Sequence, residues 1–558
     1  MNKIPITLGV VGHRFLDFTL EHKQPIKEIF LNISKKYPNS PITLFSQLAI
    51  GADTIVAELF LEVKKETNSD FRLIAPIPYD LEYFKKTQFK TAEQLNVFNN
   101  LLKQCERSFT INKLTKKTKA ILDKNSDTDI KELNELYRLG GEFVADSAII
   151  LMALWEGVDN KLEGGTANTV AYKKTGSHLI NISDHIFDKE GSLISILCNR
   201  TDTNFAIKIE DNYLETLLKD SSIVKALSKI EELNSALLEL DPTALNESCS
   251  YLFPDQYALS ENNVALKLIY SLVDTQANKH QIKYNTILKG LFLLGFVIFG
   301  VFESYKHLGL HQTLFFTTIA LIAFAFGIFK ISINWQNHNK YIEDRVLAEA
   351  LRIQFFWNLA KIKGSVSKHI LRIHKKEYYW LKHILLGVYG TTCPGDNSQK
   401  ESISIIKEHW IDNQKKYFEK KVEALEKKEK HHKILSYAVF GIGMLLLVGI
   451  FILNFRDNHH PLLHPLIVLD SIVFGIFALI KAYYEKRGYE QTKTQYSLMQ
   501  SIYIASSNKI TEIDLLNNKN ECEEIDNILS LTGKEAVVEN GNWYMIYKDK
   551  EPEVEGIG

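Results

Sequence analysis

The run Ile434–Phe455, ILSYAVFGIGMLLLVGIFILNF, holds 22 residues without a charge. Coiled as a helix at about 1.5 Å per residue, it matches a hydrocarbon layer about 30 Å thick. A water-exposed helix of that composition is untenable, so this segment commits the chain to a bilayer. Thr313–Phe329 is nearly as apolar and is extended by Ile331 and Ile333 beyond Lys330. Two weaker segments lie beside these. Gly290–Phe302 has 13 uncharged residues between Lys289 and Glu303, and spans only if its flanking charged side chains reach toward the interface. Leu462–Ile480 contains His464 and Asp470. The alternative for both is a buried soluble helix. Each lies one tight turn from a strong segment, however, so two transmembrane hairpins are expected, at 286–333 and 434–482.

Lys and Arg placement orients them. The segment 334–433 carries twenty such residues, whereas the turns 306–312 and 456–461 carry one each, Lys306 and Arg456. Long segments weigh little in the positive-inside rule, so the flanks decide. Lys279, Lys283 and Lys289 precede the first span, Lys427, Lys428, Lys430 and Lys433 precede the third, and Lys481, Lys486 and Arg487 follow the fourth. Both termini and the middle segment are therefore expected in the cytoplasm of a multi-pass inner-membrane protein. After each hairpin comes an apolar-striped helix, YIEDRVLAEALRIQFFWNLA (341–360) and YEQTKTQYSLMQSIYIA (489–505), which suggests an internal duplication.

A carboxylate inside a span costs several kcal/mol unless it meets water or a partner. Asp470, with Glu303 at the end of the first span, is therefore a candidate pore or gating residue. The alternative is that the fourth span begins later and Asp470 lies at the outer interface. Ser471 and Gly475 beside it are small enough for close helix approach.

The front of the chain has another character. Lys+Arg number 66 against 67 Asp+Glu, which gives no footing for duplex DNA. Five cysteines stand far apart, without disulfide or zinc spacing, as suits a reducing compartment. MNKIPITLGVVGHR lacks a secretory core. ITLGVVG, ITLF, FRLIAPI and SAIILMALW read as strands, HLINI (178–182) as a fifth, with helices between them. That alternation predicts an α/β Rossmann-like, doubly wound parallel sheet whose ligand site lies at the carboxyl ends of its strands. The expected organisation is a nucleotide-binding domain over 1–185, a helical connector over 186–285, hairpin 1, a cytoplasmic helical segment over 334–433, hairpin 2, and a cytoplasmic helix with a strand segment over 483–558. The last strands are read from AVVENGNWYMIYKD, with a turn at Asn540-Gly541. Residues 107–136 read as a polar insertion.

The candidate ligand residues lie at the predicted strand ends: Gly12, His13 and Arg14; Ser46, Gly51, Ala52 and Asp53; Pro76; Trp155 and Glu156; and Gly164, Gly165, Thr166 and Asn168. A glycine turn opening a helix offers N–H groups and a positive dipole end to an anion. Arg14 and His13 suit phosphate, and Trp155 suits either base stacking or core packing.

GVVGHR (9–14), SQLAIGAD (46–53), APIPY (75–79), DSAIILMALWEG (146–157) and GGTANTV (164–170), in that order, resemble the SLOG superfamily of Rossmann-like nucleotide sensors and phosphoribohydrolases. The hairpins followed by Ala348, Glu349, Leu351 and Arg352 are similar to the SLATT-like two-helix membrane modules found beside such sensors. The resemblance implies an effector of bacterial antiviral signalling. Its front would bind a nucleotide second messenger, cyclic, ADP-ribose-like or a short oligonucleotide, made by a partner nucleotidyltransferase, and would control a homo-oligomeric ion path. The family's hydrolases carry PGGxGTxxE, whereas here Asn168 and Thr169 stand where the glutamate is expected. Binding without catalysis, and without a metal or resident cofactor, is the expectation. A membrane-tethered nucleotide or NAD hydrolase using Glu142, Asp146 or Glu156 is the alternative.

Overall fold

The computed structural model describes residues 3–16, 20–123, 131–157, 165–175, 192–198, 221–307, 311–370, 375–394, 401–457, 459–516 and 521–548. The chain divides into two compact units, Met1–Val273 with Leu347–Glu401, and Asp274–Val346 with Ser402–Gly558.

The first unit holds a six-stranded parallel sheet, β1 (Ile6–Gly12), β2 (Ile42–Phe45), β3 (Phe71–Ile77), β4 (Arg107–Thr110), β5 (Ile150–Trp155) and β6 (Ser192–Leu197), in the order β4-β3-β2-β1-β5-β6. β1 and β5 are buried almost throughout, which is why they read as continuous apolar runs. Between the strands run α1 (Leu20–Lys36), α2 (Ala52–Glu66), α3 (Leu81–Gln88), α4 (Ala92–Gln104), α5 (Lys116–Asp123), α6 (Lys131–Ser147) and α7 (Thr166–Thr175). Alternate residues of β1 point to opposite faces. A Cβ on Gly9 would lie 2.8 Å from Ala148 and 2.9 Å from Val144 of α6, and one on Gly12 would lie 2.2 Å from Ala52 of α2. The sheet is thus covered on both sides, as the doubly wound expectation requires.

Several expectations are corrected. The sheet passes the anticipated boundary at 185, because Ser192–Leu197 pairs with β5. HLINI (178–182) and Gly164 lie outside the described residues. The polar stretch 107–136 contains edge strand β4, whose amphipathic RSFT signal is too short to stand out, followed by α5 and the start of α6. The region 186–285 contains α8 (Ser221–Ala236), α9 (Pro242–Leu252) and the start of α10 (Glu261–His307) as well as β6. The segment 334–433 does not form one cytoplasmic block. α11 (His311–Trp335) is followed by α12 (Asn337–Leu359), and Leu347–Glu401 belongs to the sheet unit, where α13 (Lys375–Thr392) packs on α6 and α8. Two glycines permit that approach: a Cβ on Gly387 would lie 2.8 Å from Thr7 Oγ1, and one on Gly390 would lie 2.5 Å from Ser147.

In the second unit α10, α11, α14 (Asn413–Arg456) and α15 (Leu463–Arg487) are each long and apolar enough to cross a membrane. Large apolar side chains along them face outward, including Leu293 and Val297 on α10, Phe316 and Phe324 on α11, Leu445 and Phe451 on α14, and Leu469 on α15. This disfavours the buried-soluble-helix alternative for the weaker segments. α14 and α15 pack together, and α16 (Tyr489–Leu516) runs against α14. Helices of 47, 25 and 23 residues in the first half are matched by 44, 25 and 28 in the second, in keeping with a duplicated plan.

The C-terminal strand expectation is wrong. Glu521–Lys548 is a single helix, α17, packed on α16. Ile525, Leu529, Thr532 and Ala536 are buried at intervals of three or four residues, with Val537 buried beside them, and Asn540 Nδ2 donates to the Val346 carbonyl at 2.9 Å. One apolar stripe facing α16 overrides the strand preference of Val, Trp and Tyr and the hairpin signal of Asn-Gly.

Candidate functional site

The order of the sheet reverses between β1 and β5, so a crevice forms where their carboxyl ends diverge. The Gly12-His13-Arg14 turn leaves β1 there. His13 N donates to Leu154 O at 3.0 Å, and Ala52 N donates to His13 O at 3.1 Å, tying this turn to the start of α2. Gly51 precedes α2 at φ 96°, and a Cβ on it would lie 2.3 Å from His13 O and 2.4 Å from Arg14 O. Only glycine fits this corner. Ser46 is a turn residue: Oγ donates to Asp53 O at 3.1 Å and accepts from Leu48 N at 3.1 Å. Pro76 lies beyond the last paired residue of β2, Phe45 opposite Ile74, so its missing N–H breaks no bond to that strand.

Asp53, in the first turn of α2, is buried. Burial pushes its carboxyl up to about 7, against the pull of the Ala49 and Gln47 backbone amides and the Arg14 charge. The Arg14 guanidinium lies 5.6 Å from the centre of the Tyr137 ring, and Tyr137 shares a hydroxyl contact with Tyr79. His13 Nε2 accepts a long bond, 3.4 Å, from Glu156 N and stands 3.8 Å from Glu156 Oε1. The structure therefore brings Gly12, His13, Arg14, Gly51, Ala52, Asp53 and Glu156 together.

Trp155 takes the packing alternative. Its ring belongs to the core cluster with Val11, Phe45 and Val170, and Nε1–H donates to Ser195 Oγ of β6 at 2.7 Å. Gly165 and Thr166 open α7, where Asn168 N and Thr169 N donate to Gly165 O at 3.1 and 3.3 Å. Asn168 Oδ1 is buried without a hydrogen-bond partner among the described residues, and so is Gln47 Nε2, beyond β2. Both segments adjoin the middle of α6: a Cβ on Gly140 would meet Gln47 Nε2, and one on Gly141 would meet Thr169 Oγ1, each at 2.4 Å. Two buried polar atoms left unspent beside a glycine pair are what a polar ligand would satisfy. Gln47 was not anticipated; its place inside SQLAIGAD was the available signal.

The alternative acids are engaged elsewhere. Asp146 accepts from the Tyr172 hydroxyl at 3.0 Å and pairs with Lys368 at 2.6 Å, and Glu142 pairs with Arg138 at 2.5 Å. Of the three, Glu156 alone lies at the switch point. Lys173 of α7 donates to the carbonyls of Ala145 and Ala148 at 2.7 and 2.5 Å, closing the end of α6, and burial lowers its ammonium to about 7.

A cavity of about 920 Å³ opens elsewhere in this unit, along β3, β4 and the first turns of α10. Its two arginines are already committed. Arg72 pairs with Asp70 at 2.5 Å and with Glu106 at 3.6 Å, and Arg107 donates to Thr391 O at 2.8 Å and to Cys393 O. The switch-point crevice, whose buried Gln47 and Asn168 atoms lack partners among the described residues, is the better ligand seat.

In the second unit Asp470 is buried seven residues into α15, and its Oδ1 has no hydrogen-bond partner among the described residues. At about 1.5 Å per residue it stands about 10 Å inside that helix, away from its start. Glu303, near the end of α10, is buried as well.

No family model, no curated protein and no solved structure matches this chain.

Proposed function

We propose that this chain is a ligand-gated membrane effector of the kind its SLOG-like and SLATT-like motifs imply, acting in bacterial antiviral signalling. The switch-point crevice binds a nucleotide second messenger supplied by a partner nucleotidyltransferase. His13, Arg14 and the α7 turn receive its phosphate, and Gln47 and Asn168 meet its remaining polar groups. The spans assemble with copies of themselves in the inner membrane, with both termini cytoplasmic, and Asp470 then lines an ion path. The observation that carries this reading is the presence, in one polypeptide, of that crevice and four membrane-length helices. The chain passes between the two units at 273/274 and 346/347 within α10 and α12, which gives a covalent route from ligand to bilayer. A ligand moves such a gate only through its different affinity for the two states.

The test is ion flux from liposomes holding the full chain, with cyclic nucleotides, ADP-ribose and short oligonucleotides added in turn. Flux should change with one ligand class and lose its response in Gly165→Asp, while Asp470→Asn should alter conductance and leave ligand affinity intact. Unresponsive liposomes across all three classes refute the proposal. A second reading, nucleotide or NAD hydrolysis, is favoured by the placement of Glu156 beside His13. Base release by the wild type, lost in Glu156→Gln, would select it.

A further inference from the structure

We propose that the second unit contains a separate anion site, which takes a phosphate group at the common end of the four spans. A cavity of about 250 Å³ is formed there by residues that flank every span: Tyr284 and Asn285 of α10, His338 and Tyr341 of α12, Lys421 and Lys428 of α14, and Lys486 and Arg487 of α15. Aromatic residues of α16 and α17, including Tyr489, Tyr496 and Trp543, complete the wall. Four cations line this cavity and no carboxylate does.

Arg487 is the central observation. It is half-buried, and its partners are neutral: Nη1 donates to Asn285 Oδ1, Nε donates to the Tyr489 hydroxyl at 3.2 Å, and the guanidinium lies 5.5 Å from the Tyr489 ring centre. A guanidinium taken partly out of water without a counter-ion is costly, and a bound anion removes that cost. Lys428 lies 5.9 Å from the centre of the same Tyr489 ring, and Lys421 lies 5.3 Å from that of Tyr417; neither has a carboxylate partner among the described residues. His338 is buried, its Nε2–H faces Tyr547 O at 2.9 Å, and its Nδ1 has no partner among the described residues.

Planar arginine and lysine donors around a small concave space select phosphate oxygens. The tyrosine and tryptophan wall suits the headgroup level of a bilayer. The phosphate can come from an anionic lipid headgroup or from solution, and the chemistry of the seat is the same.

The test uses the full chain in phosphatidylcholine nanodiscs, with or without phosphatidylglycerol. Native mass spectrometry reads retained anionic lipid, and labelled orthophosphate reads soluble anion in the discs lacking phosphatidylglycerol. Selective lipid retention identifies a headgroup, and orthophosphate binding identifies a soluble anion. In either arm, binding should weaken about tenfold in Arg487→Gln, the loss of one charge-assisted contact. It should fall similarly in the Lys421→Gln/Lys428→Gln double variant, whose exposed side chains leave folding intact, while Lys430→Gln, outside the cavity, should have no effect. Absence of both signals, or retention that none of the cavity variants changes, overturns the proposal.

Discussion

Asp53→Asn isolates the electrostatics of the switch-point crevice. Burial moves the Asp53 carboxyl from 3.8 to about 7, so the folded chain holds its proton more tightly than the unfolded chain does. The associated stability is fully present below pH 3.8 and is lost as the pH rises through about 7. A displacement of roughly three units at 1.36 kcal/mol each sets a ceiling of about 4 kcal/mol. Asparagine keeps the shape and one acceptor for the Gln47 and Ala49 amides, and cannot ionise. At pH 5 the wild type has lost only about 1.6 kcal/mol of this stability, so the variant should melt only about 3 °C higher. At pH 8 the variant should be the more stable, with Tm higher by up to about 8 °C at roughly 2 °C per kcal/mol. Intrinsic-fluorescence melting of the full chain in detergent, at both pH values, measures the difference between proteins and cancels other titrations. A variant as pH-sensitive as the wild type, or equally destabilised at both pH values, refutes the argument that the cost lies in the buried charge.

Three further perturbations have defined outcomes. Gly51→Ala places a Cβ against two carbonyl oxygens at a positive φ; it should cost more than about 3 kcal/mol and abolish ligand response, as protease resistance and the flux assay would show. Arg107→Ala removes the donors to Thr391 O and Cys393 O, at about 1.5–3 kcal/mol for such a charged contact, and should speed maleimide labelling of the buried Cys393. Gly475→Ala puts a methyl 2.2–2.8 Å from the Phe299 ring and should lower the melting point in detergent by an overpacking cost of about 1–3 kcal/mol, whereas Gly441→Ala, with open space around it, should not.

The strands were legible where the apolar pattern was nearly continuous, because β1 and β5 are covered on both faces and carry no charged residue. RSFT was missed because four half-exposed residues at an edge carry little pattern. The crevice was legible from its glycines, since Gly12 and Gly51 mark where backbone meets backbone. The role of Trp155 was not, because base stacking and core packing ask for the same residue type, and only Ser195 on β6 distinguishes them. Gln47 likewise gains its meaning from Gly140, nearly a hundred residues away.

What the amino-acid order settled by itself is local: uncharged runs long enough to cross a bilayer, buried parallel strands, and glycine corners, each set by the solvent and by sterics within a few residues. The tertiary structure decided whatever depends on distant partners. Leu347–Glu401 returns to the sheet through glycines that fit Thr7 and Ser147, the Asn540-Gly541 segment becomes helix because α16 offers an apolar stripe, and residues flanking four separate spans, with cations from two of them, converge on one cavity. Burial and charge complementarity between remote segments are sums over the whole fold, and no local window contains them.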